Sequence, residues 1–413
     1  MLAFFALLGL TNGDWLARIP ALAHGLHLSD GMLGVALLAT PAGSVAVASL
    51  AGALVDRIGS RAPTTLAGIA VALLPISFGL AASQVALMVG MFVFGVAAGA
   101  LDVSMNAQAV QLQTAVGRQL MTSFHACFSF GALAGGLVGG AFAWRNVAPA
   151  PDFTAVAVPL AALALVAGRF LLAHGQGAPA GEASSREREP AAARPEAARP
   201  EATGQSAATA RSEAATGGRR RVRLSPLLVL SLLALCSLLG EGAADGWSAV
   251  YLRVNLGTSA GFAAMGYAAF ALTMAFGRLA GDRLADRFGP AALLRAGGLL
   301  AAAGMALALL TRTPAGALAG FAVYGAGLSC TFPQMLAVAG SIRPDRPGSA
   351  IARVAGTGYV GLLTGPVMIG GLATAAGLPA ALGLPALLAL GIAAGATYGV
   401  PGRVGARRRA PGR

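Results

Sequence analysis

The chain has 413 residues, of which 56% are hydrophobic and only 11% charged, and its net charge is +13. A soluble domain carries about 25% charged residues, so this composition excludes an ordinary water-soluble fold and predicts a protein embedded in lipid. The positive charge would suggest nucleic acid in a soluble protein, but here the arginines lie near the ends of apolar runs, which favours membrane topology.

Twelve apolar segments follow one another along the chain, most of them about 20 residues long, as a helix needs to cross a bilayer. Lipid cannot satisfy free backbone N–H and C=O groups, and the short alternating segments of a β-barrel are not visible. We therefore predict an all-α integral membrane fold. The predicted spans are 2–22, 29–53, 63–82, 84–112, 119–143, 152–173, 225–252, 261–281, 290–311, 315–341, 348–374 and 377–400.

A different kind of sequence separates the sixth and seventh spans. Residues 174–224 hold almost no large apolar side chain and are rich in Ala, Pro, Glu and Arg. Such a segment cannot bury enough apolar surface to offset the entropy of ordering, so we predict a disordered linker. It would join an N-terminal six-helix bundle (1–173) to a C-terminal one (225–400), which a basic tail (401–413) follows.

Two charged turns divide the apolar sequence at corresponding places. GALVDRIGSR (Gly52–Arg61) follows the second span and GDRLADRFG (Gly281–Gly289) follows the eighth, with Asp56 and Asp286 230 positions apart. The offset predicts two six-helix halves related by a pseudo-two-fold axis along the membrane normal. Arginines concentrate on the side of these turns, so the positive-inside rule predicts that both turns, the linker and both termini are cytoplasmic.

The first turn resembles a signature of the major facilitator superfamily, G-x-x-x-D-R-x-G-x-R between the second and third spans. The matching residues here are Gly52, Asp56, Arg57, Gly59 and Arg61, and a partial second copy has Asp286, Arg287 and Gly289. The second copy departs from the pattern at Asp282, which stands at the first glycine position, and it lacks the final arginine. With the twelve spans and the linker, the resemblance implies a secondary transporter that works by alternating access and is not an enzyme.

The chemistry of the first turn is suited to a gate. Gly59 permits a sharp reversal of the chain, and Gly52 allows close approach of a neighbouring helix. Asp56 can accept hydrogen bonds from the N-terminus of a helix in the other half. Such a latch would close the cytoplasmic side and break when that side opens. The alternative is that these charges only fix the topology.

Four acidic residues lie in the interior of predicted spans, away from the span ends, namely Asp14, Asp102, Glu241 and Asp245. A charge in hydrocarbon is costly, so each should face a cavity or a partner. Asp102 shares a helical stripe with Gly95, Gly99 and Asn106, which predicts a helix that faces a polar cavity. His125, in the next span, could reach Asp102 in a proton relay or could be a solitary, satisfied histidine.

The other acids leave two interpretations open. Glu241 and Asp245 lie four residues apart on one helix face, so they could couple transport to protons or bind a cation, or simply line a solvated vestibule. Asp14 could take part in transport or pair with Arg18. Trp15 and Trp247 lie beside these acids and could stack on a solute or belong to the interfacial aromatic belt.

Two further sequence runs, LDVSMNAQ and GRQLMTSFHACFSFG, resemble a bacterial branch near the fucose permeases. In that branch acids of spans one and four are implicated in handling protons and substrate, which implies roles for Asp14 and Asp102. The expected function is proton-coupled symport of a sugar-like or other small polar solute across the cell membrane. The alternative is a proton-driven exporter of drugs or metabolites. We expect protons, a small solute and lipid as partners, no cofactor or metal, and a monomer.

Overall fold

The computed structural model describes residues 1–28, 30–173 and 225–400, and these ranges fold into helices without a β-strand. Ten helices in them are long and apolar enough to cross a membrane, and helices at the first and eighth predicted spans complete the set of twelve. The all-α membrane fold is therefore confirmed. The predicted linker (174–224) and basic tail (401–413) lie outside the described residues.

Some spans are single helices and others are interrupted. The N-terminal half contains span 1 (Leu2–Ala17 and Ile19–Gly25), span 2 (Asp30–Leu37 and Ala39–Ile58), span 3 (Arg61–Leu73 and Pro75–Gly79), span 4 (Gln84–Val116), span 5 (Met121–Trp144) and span 6 (Pro149–Gly168). The C-terminal half contains span 7 (Pro226–Val250, continued by a π-helical turn, Tyr251–Asn255), span 8 (Ala260–Phe288), span 9 (Pro290–Leu310), span 10 (Pro314–Leu328 and Thr331–Ile342), span 11 (Pro347–Ala376) and span 12 (Leu378–Ala381 and Gly383–Gly399). Many of these helices begin at proline, which is tolerated there because first-turn N–H groups have no partner within the helix.

The two halves repeat the same packing. Span 1 packs on span 5, span 2 on span 4 and span 3 on span 6, and the equivalent pairs of the second half are 7 and 11, 8 and 10, and 9 and 12. Gly131 and Gly361, 230 positions apart, show how close the repeat is. A Cβ on Gly131 would lie 3.1 Å from the Cα of Ala6 in span 1, and a Cβ on Gly361 would lie 3.1 Å from the Cα of Leu235 in span 7. Small residues permit this approach, so the repeat in the sequence becomes a repeat in space.

The halves touch mainly through spans 2 and 11, spans 5 and 8, and spans 4 and 5 with spans 10 and 11. A Cβ on Gly52 would lie 2.8 Å from the carbonyl oxygen of Gly348, and one on Gly356 would lie 3.1 Å from the Cβ of Ala48. Further along, an apolar cleft of about 530 Å³ lies between span 2 and spans 7, 11 and 12, lined by residues including Leu38, Ala42, Thr364 and Val367. The halves are thus closed at the end that carries the two charged turns, here called the motif end, and spans 2 and 11 diverge toward the opposite end.

Asp56 closes the motif end by capping span 11. Its carboxylate accepts hydrogen bonds from the backbone N–H groups of Gly348 (2.8 Å) and Ser349 (3.0 Å) and from the Ser349 hydroxyl. Span 11 begins at Pro347, so both N–H groups belong to the first turn and have no partner within the helix. The hydrogen bonds that the sequence predicted between Asp56 and a helix of the other half are therefore present.

The rest of the first turn serves the N-terminal half. Gly59 ends span 2 with a φ of 81°, a conformation that favours glycine. Arg61 donates to the carbonyl oxygens of Gly168 (3.2 Å) and Arg169 (3.0 Å), and so ties the start of span 3 to the end of span 6. Arg57 is exposed. Only Gly52 and Asp56 of the five signature residues thus have a described contact with the other half.

The second turn caps span 5, but with a carboxylate that the signature does not contain. Asp282 accepts hydrogen bonds from the backbone N–H groups of Thr122 (2.8 Å) and Ser123 (2.8 Å) and from the Thr122 hydroxyl. Asp286, the expected equivalent of Asp56, accepts one hydrogen bond, from the N–H of Gln119 (3.1 Å). Asp282 departs from the motif in sequence, yet in the structure it supplies most of this contact.

Gly281 also packs against Thr122, since a Cβ on it would lie 2.7 Å from the Thr122 hydroxyl oxygen, whereas Arg287 and Gly289 have no described contact with the first half. The guanidinium of Arg287 lies 5.2 Å from the centre of the Phe288 ring, and Gly289 ends span 8 with a φ of 82°. The two interfaces therefore differ in chemistry at equivalent positions. Gly52 packs closely against Ala352. The residues 230 positions away from these two are Asp282 and Thr122, and they are joined by hydrogen bonds.

A buried ion pair joins spans 1 and 6 near the opposite end. Arg18 lies 3.1 Å from Asp152 (Nε to Oδ2), with side-chain exposures of 2% and 0%, and it also donates to the carbonyl oxygen of Val147. The pairing of Asp14 with Arg18 that the sequence allowed is not formed among the described ion pairs. Asp152 takes that place because the first turn of span 6 brings its carboxylate to Arg18, a pairing that sequence spacing cannot reveal.

We expect Asp152→Asn to destabilise the protein by about 3–5 kcal/mol, because it leaves the Arg18 guanidinium buried without a counter-ion. Melting of the purified protein in detergent measures the effect. Asp345→Asn is the matched control, since Asp345 pairs with Arg343 at an exposed site and should matter little. The double variant Arg18→Met with Asp152→Leu should regain much of the loss. A melting temperature of Asp152→Asn equal to that of the parent would contradict the expectation.

We expect Asp56→Asn to open the motif end, because hydrogen bonds to a charged group are worth about 1.5–3 kcal/mol and the amide weakens them. The measurement is the thiol reactivity of Ala48→Cys, buried between spans 2 and 11, after replacement of the three native cysteines. Reactivity should rise roughly tenfold or more.

The second turn provides the comparison for this experiment. Asp282→Asn should raise the same reactivity, whereas Asp286→Asn should have a smaller effect because it removes a single hydrogen bond. Equal reactivity of the buried thiol in the parent and in Asp56→Asn would show that this carboxylate does not hold the motif end closed.

Candidate functional site

Polar side chains of both halves surround the region where spans 4 and 5 meet spans 7, 8, 10 and 11. The N-terminal half contributes Asp102, Asn106, His125 and Ser129, and the C-terminal half contributes Glu241, Asp245, Arg278 and Tyr359. We call these eight residues the central polar group. Because its members belong to both halves, any movement of one half against the other changes their arrangement.

Span 4 supplies a carboxylate and an amide one helical turn apart. The Nδ2 of Asn106 donates to the Asp102 carboxylate (3.0 Å) and to its backbone oxygen (2.8 Å). The Oδ1 of Asn106 is thereby left as an acceptor, and it lies 3.2 Å from the Nε2 of His125. The network thus assigns the hydrogen of His125 to Nε2. An amide does not take up protons near neutral pH, so Asn106 positions both groups and interrupts a direct relay between them.

The predicted glycine stripe of span 4 does not line this region. Span 2 covers Gly95 and Gly99, since a Cβ on Gly99 would lie 2.8 Å from the Cα of Ser44 and Ser44 donates to the Gly95 carbonyl oxygen (2.9 Å). Asp102 faces the other half instead, where it interacts with Tyr359 of span 11. The described hydrogen bonds do not include one between these two side chains, and the buried Asp102 Oδ2 has no hydrogen-bond partner among them.

Span 7 supplies the two carboxylates that the sequence placed on one helix face. Glu241 is half-buried and Asp245 is exposed, and they interact electrostatically with each other and with Arg278 of span 8. Neither forms an ion pair within 4.0 Å among the described residues. Both carboxylates therefore stay available to a proton or a solute.

Arg278 is a residue of the central polar group that the sequence analysis missed. It is 7% exposed, and its Nη1 donates to the Ser129 hydroxyl of the other half (2.6 Å) while its Nε donates to the Ser329 carbonyl oxygen (3.3 Å). The signal was present, since Arg278 falls within the predicted span 261–281. The cost of a charge in hydrocarbon, which we applied to acids, applies equally to arginine.

Three predicted site residues lie elsewhere. Asp14 is 2% exposed and packs beside Gly139 of span 5, and no described contact joins it to the central polar group. Trp15 donates to Asn12 (3.2 Å) and packs edge-on against Phe78 and Phe94, so it is neither at the lipid interface nor open to a solute.

Trp247 joins two spans of the C-terminal half. Its Nε1 donates to the carbonyl oxygen of Pro366 in span 11 (3.2 Å), and its ring lies against Gly370. Among the residues the structure describes, no group of three or more His, Cys, Asp or Glu side chains could hold a metal ion.

Comparisons with known proteins agree with this architecture. The family model of the Major Facilitator Superfamily matches residues 2–344 and 230–412. An uncharacterized MFS-type transporter of Yersinia pestis is 32% identical over 373 residues, which cover 90% of this chain and 87% of the relative.

Two solved structures share the fold. FucP in its outward conformation has a TM-score of 0.76 at 18% identity, and the match covers 97% of both chains. The proton:xylose symporter XylE has a TM-score of 0.69 at 15% identity, and the match covers 95% of this chain and 93% of that one. The repeat, the twelve spans, the family model and these relatives agree: the chain is a multi-pass membrane protein, is not an enzyme, and belongs to the major facilitator superfamily of transporters.

Proposed function

We propose that the protein is a proton-coupled symporter of a small polar solute and works by alternating access across a bacterial inner membrane. The observation that carries the proposal is the position of the central polar group. Carboxylates, a histidine and an arginine of both halves meet beside an interface that is closed at the motif end. A solute and protons bound there would be exposed to one side and then the other as the halves rock.

The closed end supplies the first part of the cycle. The caps that Asp56 and Asp282 place on spans 11 and 5 must break before the motif end can open. We place the motif end in the cytoplasm by the positive-inside rule. The structure would then be the outward-facing state, in keeping with its similarity to FucP in the outward conformation.

Proton coupling is supported by three carboxylates that form none of the described ion pairs. Asp102 is 6% exposed and its Oδ2 has no described hydrogen-bond partner, while Glu241 and Asp245 repel each other when both are ionised. Protonation neutralises such groups and lowers the cost of enclosing them away from water as the halves rock. FucP and XylE, named as fucose:proton and proton:xylose symporters, couple protons on the same fold. We therefore favour a sugar-like or other small polar solute, carried by a monomer in lipid.

Proton-driven export uses the same carboxylates and is the alternative. Purified protein reconstituted into vesicles loaded with a pH-sensitive dye distinguishes the two by the proton movement that an added solute evokes. Proton flow in the same direction as the solute supports symport, and flow against it supports antiport. A solute that crosses without proton movement under either gradient would exclude both.

We expect Asp102→Asn to abolish uphill, proton-driven accumulation while leaving solute exchange partly intact, because the amide keeps the hydrogen bond to Asn106 but cannot lose a proton. Accumulation should fall by about tenfold or more, and counterflow by a few-fold at most. Asp345→Asn, an exposed acid of the loop before span 11, is the control. Normal accumulation in Asp102→Asn would remove this carboxyl from the coupling mechanism.

A further inference from the structure

Arg278 is a buried cation without a counter-ion in contact. Its side chain is 7% exposed, and among the described residues no carboxylate oxygen lies within 4.0 Å of its guanidinium. Burying a guanidinium is costly unless an anion or several hydrogen bonds compensate. Two hydrogen bonds, to Ser129 and Ser329, compensate in part and leave donors of the guanidinium unused.

The backbone of span 10 fixes the orientation of this guanidinium. Pro333 has no N–H group, so the carbonyl oxygen of Ser329, four residues earlier, has no helical partner at that position. The Nε of Arg278 donates to this oxygen at 3.3 Å, and Ser129 holds Nη1 from the other side at 2.6 Å. An arginine held at Nε and at one terminal nitrogen is preorganised, because little further rotamer entropy is lost when its free donors bind a ligand.

The groups that face Arg278 come from four spans. Glu241 and Asp245 of span 7 attract it, and Tyr267 of span 8 and Cys330 of span 10 interact with it as well. His125 of span 5 lies within electrostatic range on the side of the other half. The two carboxylates are therefore the only acids among these groups, and they stand near the guanidinium without touching it.

We propose that Arg278 binds a carboxylate of the transported solute, so that the substrate is an organic acid, for example a sugar acid, rather than a neutral sugar. The proposal rests on the proposed function and narrows its substrate class. Arginine is suited to this task because its planar fork can donate two parallel hydrogen bonds to one carboxylate. The solute's anionic group replaces the counter-ion that the described structure does not supply to Arg278.

The charges of the neighbours predict how binding depends on protons. With Glu241 and Asp245 both ionised, an incoming carboxylate meets two negative charges and one positive charge. With both protonated, the same solute meets only the arginine. Binding of the acid is therefore linked to proton uptake by this pair, and its affinity should fall as pH rises. The protons held by span 7 would then move with the anion, in addition to the proton that Asp102 exchanges.

The test uses probes that differ only in one carboxylate. D-galacturonate is compared with D-galactose, D-glucuronate with D-glucose, and L-lactate with 1,2-propanediol. Each is titrated against the purified full-length protein in detergent at pH 6 and pH 8, and the melting temperature gives the apparent affinity. We expect at least one acid to bind at least about tenfold more tightly than its neutral partner, and more tightly at the lower pH.

Variants locate the effect. Arg278→Gln should weaken binding of that acid at least tenfold, and Arg278→Lys should weaken it less because the charge is kept without the fork. Arg295→Gln, an exposed arginine of span 9, removes the same charge and should bind normally. Should Arg278→Gln fail to fold, the lysine variant and the matched probes still decide the question.

Three outcomes would overturn the proposal: neutral partners that bind as tightly as the acids, acid binding that survives Arg278→Gln, or no stabilisation by any acid. Proton movement evoked by a neutral sugar would overturn this inference and leave proton-coupled symport standing. Binding of an acid through Arg278 without proton movement in vesicles would support the carboxylate contact at Arg278 and would remove both the proton linkage through span 7 and the proposed symport.

Discussion

Two helical bundles in lipid gain little from the hydrophobic effect when they touch, because lipid tails are as apolar as the surfaces that would be buried. Close packing of small residues and a few hydrogen bonds must then hold the closed state. Asp56 and Asp282 supply most of those hydrogen bonds, each to the first turn of a helix in the other half. The helix dipole adds to them, since a carboxylate is favoured at a helix N-terminus. The closed motif end, and with it the meeting of charges deeper in the protein, depends on these two caps.

The two caps are related by the internal repeat but are not copies. Where span 2 meets span 11, the first position of the motif is Gly52, and the cap comes from Asp56, one helical turn further along. Where span 5 meets span 8, the equivalent first position is Asp282, which provides the cap itself. This cap therefore lies deeper in the protein and is buried. A pseudo-symmetric transporter needs halves that can rock against each other, and unequal contacts allow the two sides of the interface to differ in strength.

The central polar group owes its composition to the same closure. Span 5 carries His125 toward Asn106 and Ser129 toward Arg278, and the second contact crosses between the halves. A guanidinium held in this way stays near the carboxylates of span 7 without pairing with them. Separation of spans 5 and 8 would release the Ser129 contact and free Arg278 to move, so recognition at the site and the conformation of the protein are linked.

The sequence by itself determined the lipid environment, the twelve spans and the two-fold repeat. It also predicted that Asp56 accepts hydrogen bonds from a helix of the other half. These features follow from hydropathy, spacing and helix-end chemistry, which are local properties. The sequence also named Asp102, Asn106 and His125 as candidates, and these three side chains are linked by hydrogen bonds in the structure. Only the tertiary structure decided that Asp152 pairs with Arg18, that Asp282 caps span 5 and that Arg278 faces two carboxylates. Those contacts depend on how helices far apart in the chain are rotated and how deep each lies in the membrane. Long apolar helices rich in glycine and alanine carry little sequence information about either their rotation or their depth.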